Sequence, residues 1–359
     1  AVFVSWCERE AGGRYRIRFM ALETAPSPAS FNALIEAAVR QSPAQYVWTY
    51  KRFRTRPPGQ PAFYPLPKVA FGAARVYAAR VATRFAGALP LRILHGLARA
   101  GAAILWRLGT RFRRQSLVNT EICISDRYPT WRDIARASWN GTTANLANTA
   151  VLWKSEATEL ERMGGEAIFR GLSRAPRQTG ARGTLLLAPR LGHRELLIRV
   201  AGERFDVSEI YQPFPRPTVD ALIREQRAAS GIRLLGYTRA GFDTAIQRLR
   251  AGEYVIVCPE QQPRLGDGEF INFFGEPALV AADLARLVHE GQCRVLLAWA
   301  EPLADSWDVT VEELSFDDDG QVLAVCNAAL ERSILAAPAR FRWHDKRFNI
   351  RPRGARRVY

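Results

Sequence analysis

TLLLAPRLGHRELL, Thr184 to Leu197, decides the fold. TLLLAP is a short apolar run closed by Pro189, which has the length and punctuation of a strand buried on both faces. A helix follows over about 193–202. The alternation continues outward, with strands expected at 205–211, 232–237, 254–258, 294–299 and 307–314, and helices at 217–230, 241–250 and 278–289. Pro217 sits where a first helical residue belongs, and Gly231 just past a helix end. A mostly helical stretch over 131–171 precedes the alternation. Strands alternating with helices predict an α/β domain, a largely parallel sheet flanked by helices. Ligands meet such sheets beyond the carboxyl ends of the strands, so 189–195, 211–216 and 259–275 should share one rim.

The chain also repeats its own ending. Residues 32–64 align without a gap on 327–359, with 13 of 33 positions identical, among them Pro43 with Pro338, Trp48 with Trp343 and Lys51 with Lys346. VFVSWCE (Val2 to Glu8) parallels VLLAWAE (Val295 to Glu301). A repeat this long is no solenoid unit. It predicts a tandem duplication of a whole domain. Residues 1–64 would be the tail of a preceding copy, 65–120 a basic helical segment, and 121–359 the α/β domain. Alone, such a tail exposes strand edges; it could pair with the second copy's sheet, swap with another chain, or stay loose.

Charge is distributed unevenly. The net charge is +16, and between Ala37 and Thr120 fifteen Lys or Arg occur without one Asp or Glu. A membrane surface and nucleic acid both attract such a belt. Arg75, Arg80, Arg84, Arg92, Arg99 and Arg107 are set among Ala, Val, Leu, Ile, Phe and Trp, and no nucleic-acid motif accompanies them, so the reading is membrane and not nucleic acid. The apolar runs fall well short of the roughly 18 residues of a span. The segment therefore reads as a basic amphipathic helix lying in the interface, with packing on its own domain as the plain alternative. With 48% apolar residues the domain can bury a sizeable core. Five cysteines without CxxC spacing indicate neither a zinc site nor a disulfide framework. The two carboxylates of Asp267–Glu269 read as a turn, since calcium and magnesium want more oxygens.

VNTEICISDRYP (Val118 to Pro129), LLLAPRLGHRELL, IYQPFPRPTVDALI, CPEQQPRLGDGEFINFFGEPA and the closing AAPARFRWHDKRFNIRP, in this order, resemble the late acyltransferases of lipid A biosynthesis, the lauroyl and myristoyl transferase family. The resemblance covers essentially all of 65–359, and SPAQYVWTYKRFRTRPPG shows the same ending a second time. It implies acyl transfer from an acyl carrier protein thioester to a hydroxyl of a lipid A precursor. It also implies the cytoplasmic face of a Gram-negative inner membrane, and no metal or organic cofactor. The basic belt suits both anionic lipid and an acidic carrier protein.

The family places a His, four residues, then Asp or Glu after the first strand: the His deprotonates the acceptor hydroxyl and the carboxylate holds the imidazolium. Here Glu195 keeps the carboxylate, but Arg190 stands at the His position and cannot accept that proton. Gln212 stands where the family tends to place an Arg after the Tyr, and Glu260-Gln261 replaces an Asp-Gln pair. Gln261 and Gly192 persist, as does the run of Asn272, Phe273, Phe274 and Gly275; with Arg216 these polar and rim residues make up the substrate-binding candidates. Structural residues kept while polar chemistry drifts is the pattern of a copy that folds without catalysing. His193 lies two residues before Glu195, so on a helix the two point apart. In a loop it could replace the missing base; otherwise it reads as a helix-surface or phosphate-facing histidine. Arg190 either pairs with Glu195 or retains a lipid-phosphate contact. His95, His289 and His344 read as packing or surface residues.

Overall fold

The computed structural model describes residues 3–9, 14–46, 68–155, 160, 165–174, 182–302, 307–316 and 321–359. The chain divides into two compact units, Ala1–Val69 and Ala70–Tyr359.

In the first unit β1 (Phe3–Arg9) and β2 (Tyr15–Ala21) form an antiparallel pair, followed by α1 (Pro28–Gln41) and a 3-10 turn at Pro43–Gln45. Ser27 caps α1 reciprocally with Ser30, and Pro28 occupies the first turn, where a missing N–H costs nothing. Val4 and Trp6 share a cavity of about 210 Å³ with Ile35, Ala38 and Val39 of α1.

The second unit opens with the helices α2 (Lys68–Ala88), α3 (Leu91–Arg107), α4 (Arg111–Ile124), α5 (Trp131–Leu152) and α6 (Glu166–Arg174). The alternating part then runs β3 (Gly183–Leu187), α7 (Arg194–Arg204), β4 (Val207–Tyr211), α8 (Pro217–Ala229), β5 (Arg233–Gly236), α9 (Arg239–Arg250) and β6 (Tyr254–Val257). It ends with β7 (Gly268–Phe273), β8 (Glu276–Ala281), α10 (Asp283–Gly291), β9 (Cys293–Pro302), β10 (Trp307–Leu314) and α11 (Val322–Ala336). Six strands make one sheet in the order β10-β9-β3-β6-β4-β5, parallel throughout except for β10 at the edge.

The sheet is apolar on both faces, as a helix-covered parallel sheet must be. Leu185, Leu187, Val255, Val257, Val295 and Leu297 point to a core shared with α9, α10 and α11. Leu186, Ile256, Leu296, Ala298 and Ala300 point to a second core closed by Ile168 and Leu172 of α6 and by α7. Burial of each such Leu or Ile stabilises by roughly 1.5–3 kcal/mol.

One element departs from the sequence reading. The stretch 278–289 is no single helix: Glu276–Ala281 is β8, paired antiparallel with β7, and α10 begins only at Asp283. The hairpin turns on Phe274 and Gly275, both at positive φ (53° and 80°), the conformation of a two-residue primed turn. A four-residue apolar run such as Ala278 to Ala281 fits a strand as well as a helix, and only the turn decides.

Candidate functional site

The loop leaving β3 is stitched in place by its backbone. Gly192, at φ 62°, lies so close to β9 that a Cβ there would come within 2.1 Å of the Ala300 carbonyl, so only glycine fits. Its N–H donates to the Arg340 carbonyl (3.2 Å), and the His193 N–H donates to that of Ala300 (2.8 Å). The Arg342 N–H in turn donates to the Arg190 carbonyl (3.0 Å). The closing segment 340–349 thereby becomes a wall of the site.

Glu195 falls in the first turn of α7, where a carboxylate suits the helix end. Arg227 of α8 grips it with two bonds, of 2.7 and 3.0 Å. The same guanidinium donates through Nε to Glu209 of β4 (2.5 Å), and Glu209 accepts from Arg194 Nη2 (2.9 Å). Burial alone would raise the Glu195 pKa, but the charge and hydrogen bonds of Arg227 bring it down to about 2. Every charge in this chain of four has an opposite neighbour.

Arg190 faces the other way. Its guanidinium pairs with Asp345 at 3.2 Å, not with Glu195, and its N–H donates to the Glu260 carboxylate. Burial works against its charge, but the negative charges of Asp345 and Glu260 prevail, and the pKa rises. Asp345 also accepts two bonds from Arg342, of 2.8 and 3.0 Å. Burial would raise its pKa, yet Arg342 and Arg190 hold it below the usual carboxylate range.

His193 is not on a helix surface. It ends the loop as the residue before α7, is 1% exposed, lies with its ring 5.2 Å from that of Trp307, and shares a 3.3 Å contact with Thr149 Oγ1. Gly192 makes the tight turn that sends it inward. Burial lowers its pKa to about 4 despite the charge of Glu195, and Nδ1 has no hydrogen-bond partner among the described residues. His95 bonds Asn148 at 2.7 Å, tying α3 to α5, and His344 packs edge-on against Phe112 and Trp139.

Two adjoining cavities open on these groups. One, of about 140 Å³, is lined by Arg190, His193, Glu195, Tyr211, Gln212 and Arg227 among others. The second, of about 450 Å³, shares Arg190, Gln212, Gln261 and Arg342 with it and adds Glu260 and the rings of Phe273, Phe341, Trp343 and Phe348. That volume lies within the usual ~300–1,000 Å³ of small-molecule sites. Gln212 accepts a 2.5 Å bond from Gln261 Nε2, so the two rim segments touch. Asp220 shapes the segment after β4, accepting from Tyr211 Oη (2.6 Å) and the Phe214 N–H (2.8 Å).

The remaining candidates stand outside both linings. Arg216 is the exposed residue preceding α8. Asn272, Phe274 and Gly275 form the hairpin corner, where the Phe274 N–H donates to Glu331 (2.7 Å) and the Asn272 carbonyl accepts from Asn327 (3.2 Å). Asn272, Phe274 and Gly275 of the NFFG run are thus accounted for by the hairpin, and Phe273 by the larger cavity. Reading the sequence missed Arg227, Glu209, Asp345, Arg342 and Asn145, whose side chain donates to the Gly192 carbonyl at 2.9 Å. Glu209 carried a signal: a carboxylate inside a strand as apolar as VSEIY needs a buried cation.

A six-stranded, mostly parallel sheet covered by helices, with a cleft at the carboxyl ends of its strands, defines an α/β fold. Within that class, residues 71–349 match the model of the bacterial lipid A biosynthesis acyltransferases, and the chain belongs to this family. No curated protein matches the chain.

Proposed function

We propose that this chain binds a lipid A-type acyl acceptor in the paired cavities and does not run the family's acyl transfer through the usual base. The carrying observation is the ion-pairing of the motif. The base position is a cation held by Asp345, and the retained carboxylate is neutralised by Arg227. Neither is free to take a proton from a hydroxyl. Arg190, Arg342, Gln212 and Gln261 at the mouth suit the phosphates and hydroxyls of the acceptor. The apolar rings of the larger cavity suit an acyl chain. The donor is the thioester of an acyl carrier protein, drawn to the basic belt.

The same reading sets the chain on an anionic membrane surface, at the cytoplasmic face of a Gram-negative inner membrane. No helix among the described residues is long and apolar enough to cross a membrane. On α3, Ile93, Leu97 and Ile104, with the capping residue Leu108, are exposed at spacings that make one stripe, beside a second stripe of Arg92, Arg99 and Arg107. Leu94 and Ala102 are buried on the remaining side. A packed face, an apolar stripe and an arginine stripe on one helix is the arrangement an interfacial helix needs.

The test is incubation of the purified chain with acyl carrier protein thioesters and a lipid A precursor, read by mass spectrometry. Retained binding of the precursor without an added acyl chain is the expected result. An added chain that disappears in Glu195→Ala would overturn it. One observation favours a second reading, an active O-acyltransferase with a displaced base: His193 lines the same cavity with Nδ1 unpartnered among the described residues. Product formation abolished by His193→Gln would select that reading, although a pKa of about 4 makes His193 a weak base near neutrality.

A further inference from the structure

The first unit reproduces the end of the second, element by element. β1, β2, α1 and the turn at Pro43–Gln45 follow one another as β9, β10, α11 and the turn at Pro338–Arg340 do. The residue between helix and turn has φ −137°, ψ 61° at Ser42 and φ −140°, ψ 62° at Ala337. The residue after the turn has φ −75°, ψ 139° at Tyr46 and φ −77°, ψ 144° at Phe341. Strand registers agree as well. Phe3 pairs with Ala21 as Leu296 pairs with Glu313, which sets Trp6 on Trp299 and Tyr15, Ile17 and Phe19 on Trp307, Val309 and Val311.

The two ends differ in what covers them. Val4 and Trp6 face α1 just as Leu297 and Trp299 share a core with α11. On the opposite face of β9 and β10, Leu296, Val309 and Val311 are closed over by the core of α6 and α7, and the outer edge of β9 pairs in parallel with β3. The matching face of the first unit is bare: Phe3, Tyr15, Ile17 and Phe19 are 57%, 65%, 63% and 70% exposed, and β1 belongs to a two-stranded sheet. Four large apolar side chains beside an open strand edge make a site for strand addition.

We propose that β1, β2 and α1 close the sheet of another domain of this fold, one whose own last two strands and helix are missing. β1 adds in parallel to a strand of the β3 type, and the four exposed side chains pass under helices of the α6 and α7 type. The bulk of Phe19 in place of Val311 selects the cover. On α6, a Cβ added at Gly171 would stand 3.0 Å from Val311 Cγ2, so the partner's helix sits further off or carries smaller neighbours.

The experiment is co-expression of the full chain with a tagged companion, residues 70–292 of the same sequence, which lacks β9, β10 and α11. A second companion carries Leu172→Ala, which loosens the core that Val311 packs against. Severalfold more soluble companion, recovered in a one-to-one complex in which the β1 amides gain hydrogen-exchange protection, is the expected result. Ile17→Asp in the full chain should abolish the rescue while the second unit melts unchanged. The proposal is overturned if neither companion is rescued, if Ile17→Asp rescues equally, or if a donor of residues 70–359 does as well as the full chain. It is equally overturned if Ile17→Asp instead abolishes binding to anionic vesicles, which would make the bare face a lipid contact.

Discussion

The two walls of the cleft carry similar charges to different ends. On one, Glu195, Arg227, Glu209 and Arg194 neutralise one another, and Arg227 is only 5% exposed. On the other, Arg190 is 24% exposed and shares Asp345 with Arg342. Glu260 there keeps one oxygen without a partner among the described residues, as does Arg347 its Nη2. The first wall is a closed network, and removing one of its members strands a charge that is wholly or partly buried. The second has slack. A substitution at Arg190 leaves Asp345 with Arg342, so this wall tolerates exchange at position 190 without unfolding the domain.

Paired substitutions test the contrast most severely. Arg227→Met should destabilise the second unit by about 3–5 kcal/mol, since the buried Glu209 and the partly buried Glu195 both lose their cation. Arg190→Met should cost about 1 kcal/mol or less, a value typical of partly exposed pairs. Denaturant midpoints of the two variants measure the difference. Equal losses would break the distinction between the walls.

Titration sharpens it. Glu195 titrates near 4.5 in an unfolded chain and at about 2 here. Its stabilising share, on the order of 2–3 kcal/mol, is complete above pH ~4.5 and is lost as pH falls towards 2. His193 and His344 are both lowered by burial, from 6.5 to about 4. Unfolded imidazoles gain protons first, so their share is present above pH ~6.5 and declines as pH falls towards 4. Stability against pH should therefore decline in two windows. His193→Gln with His344→Gln should flatten the upper window and leave the lower one in place.

Much of this was legible beforehand. The alternation of TLLLAP, VSEIY and YVIV with helical stretches announced the sheet, since fully buried strands read as plain apolar runs. The rim followed from topology, and Arg190, Glu195, Gln212 and Gln261 do meet there. What was not legible is long-range pairing. Arg227 lies 32 residues from Glu195, and Asp345 lies 155 residues from Arg190; no local pattern reports that such charges meet. Among arginines as numerous as these, composition cannot tell which are buried, as Arg227, Arg294 and Arg347 are. His193 escaped because a single positive φ at Gly192 turned it from the expected surface into the core. The β7–β8 hairpin escaped for a similar reason, a primed turn carrying Phe where Asn or Asp usually gives the signal.

The smallest effect would bear most directly on the slack wall. Arg190→His restores a group that titrates near neutrality at the motif position, and a neutral imidazole can accept the hydroxyl proton that a guanidinium cannot. It does not free Glu195, which stays gripped by Arg227 at 2.7 and 3.0 Å. The new histidine would therefore lack its orienting carboxylate, and Asp345, released by Arg190, is still held by Arg342. Arg190→His alone should give a trace of acylated product at most, and Arg190→His with Gln212→Arg a modest gain over it, read by mass spectrometry against the unaltered chain. Vigorous turnover by the single variant would mean that the paired wall already presents Glu195 to a base at position 190, so that Arg190 alone silences the site. No product from either variant would place the block in the Arg227 clamp as well, and both walls would then have left the chemistry behind.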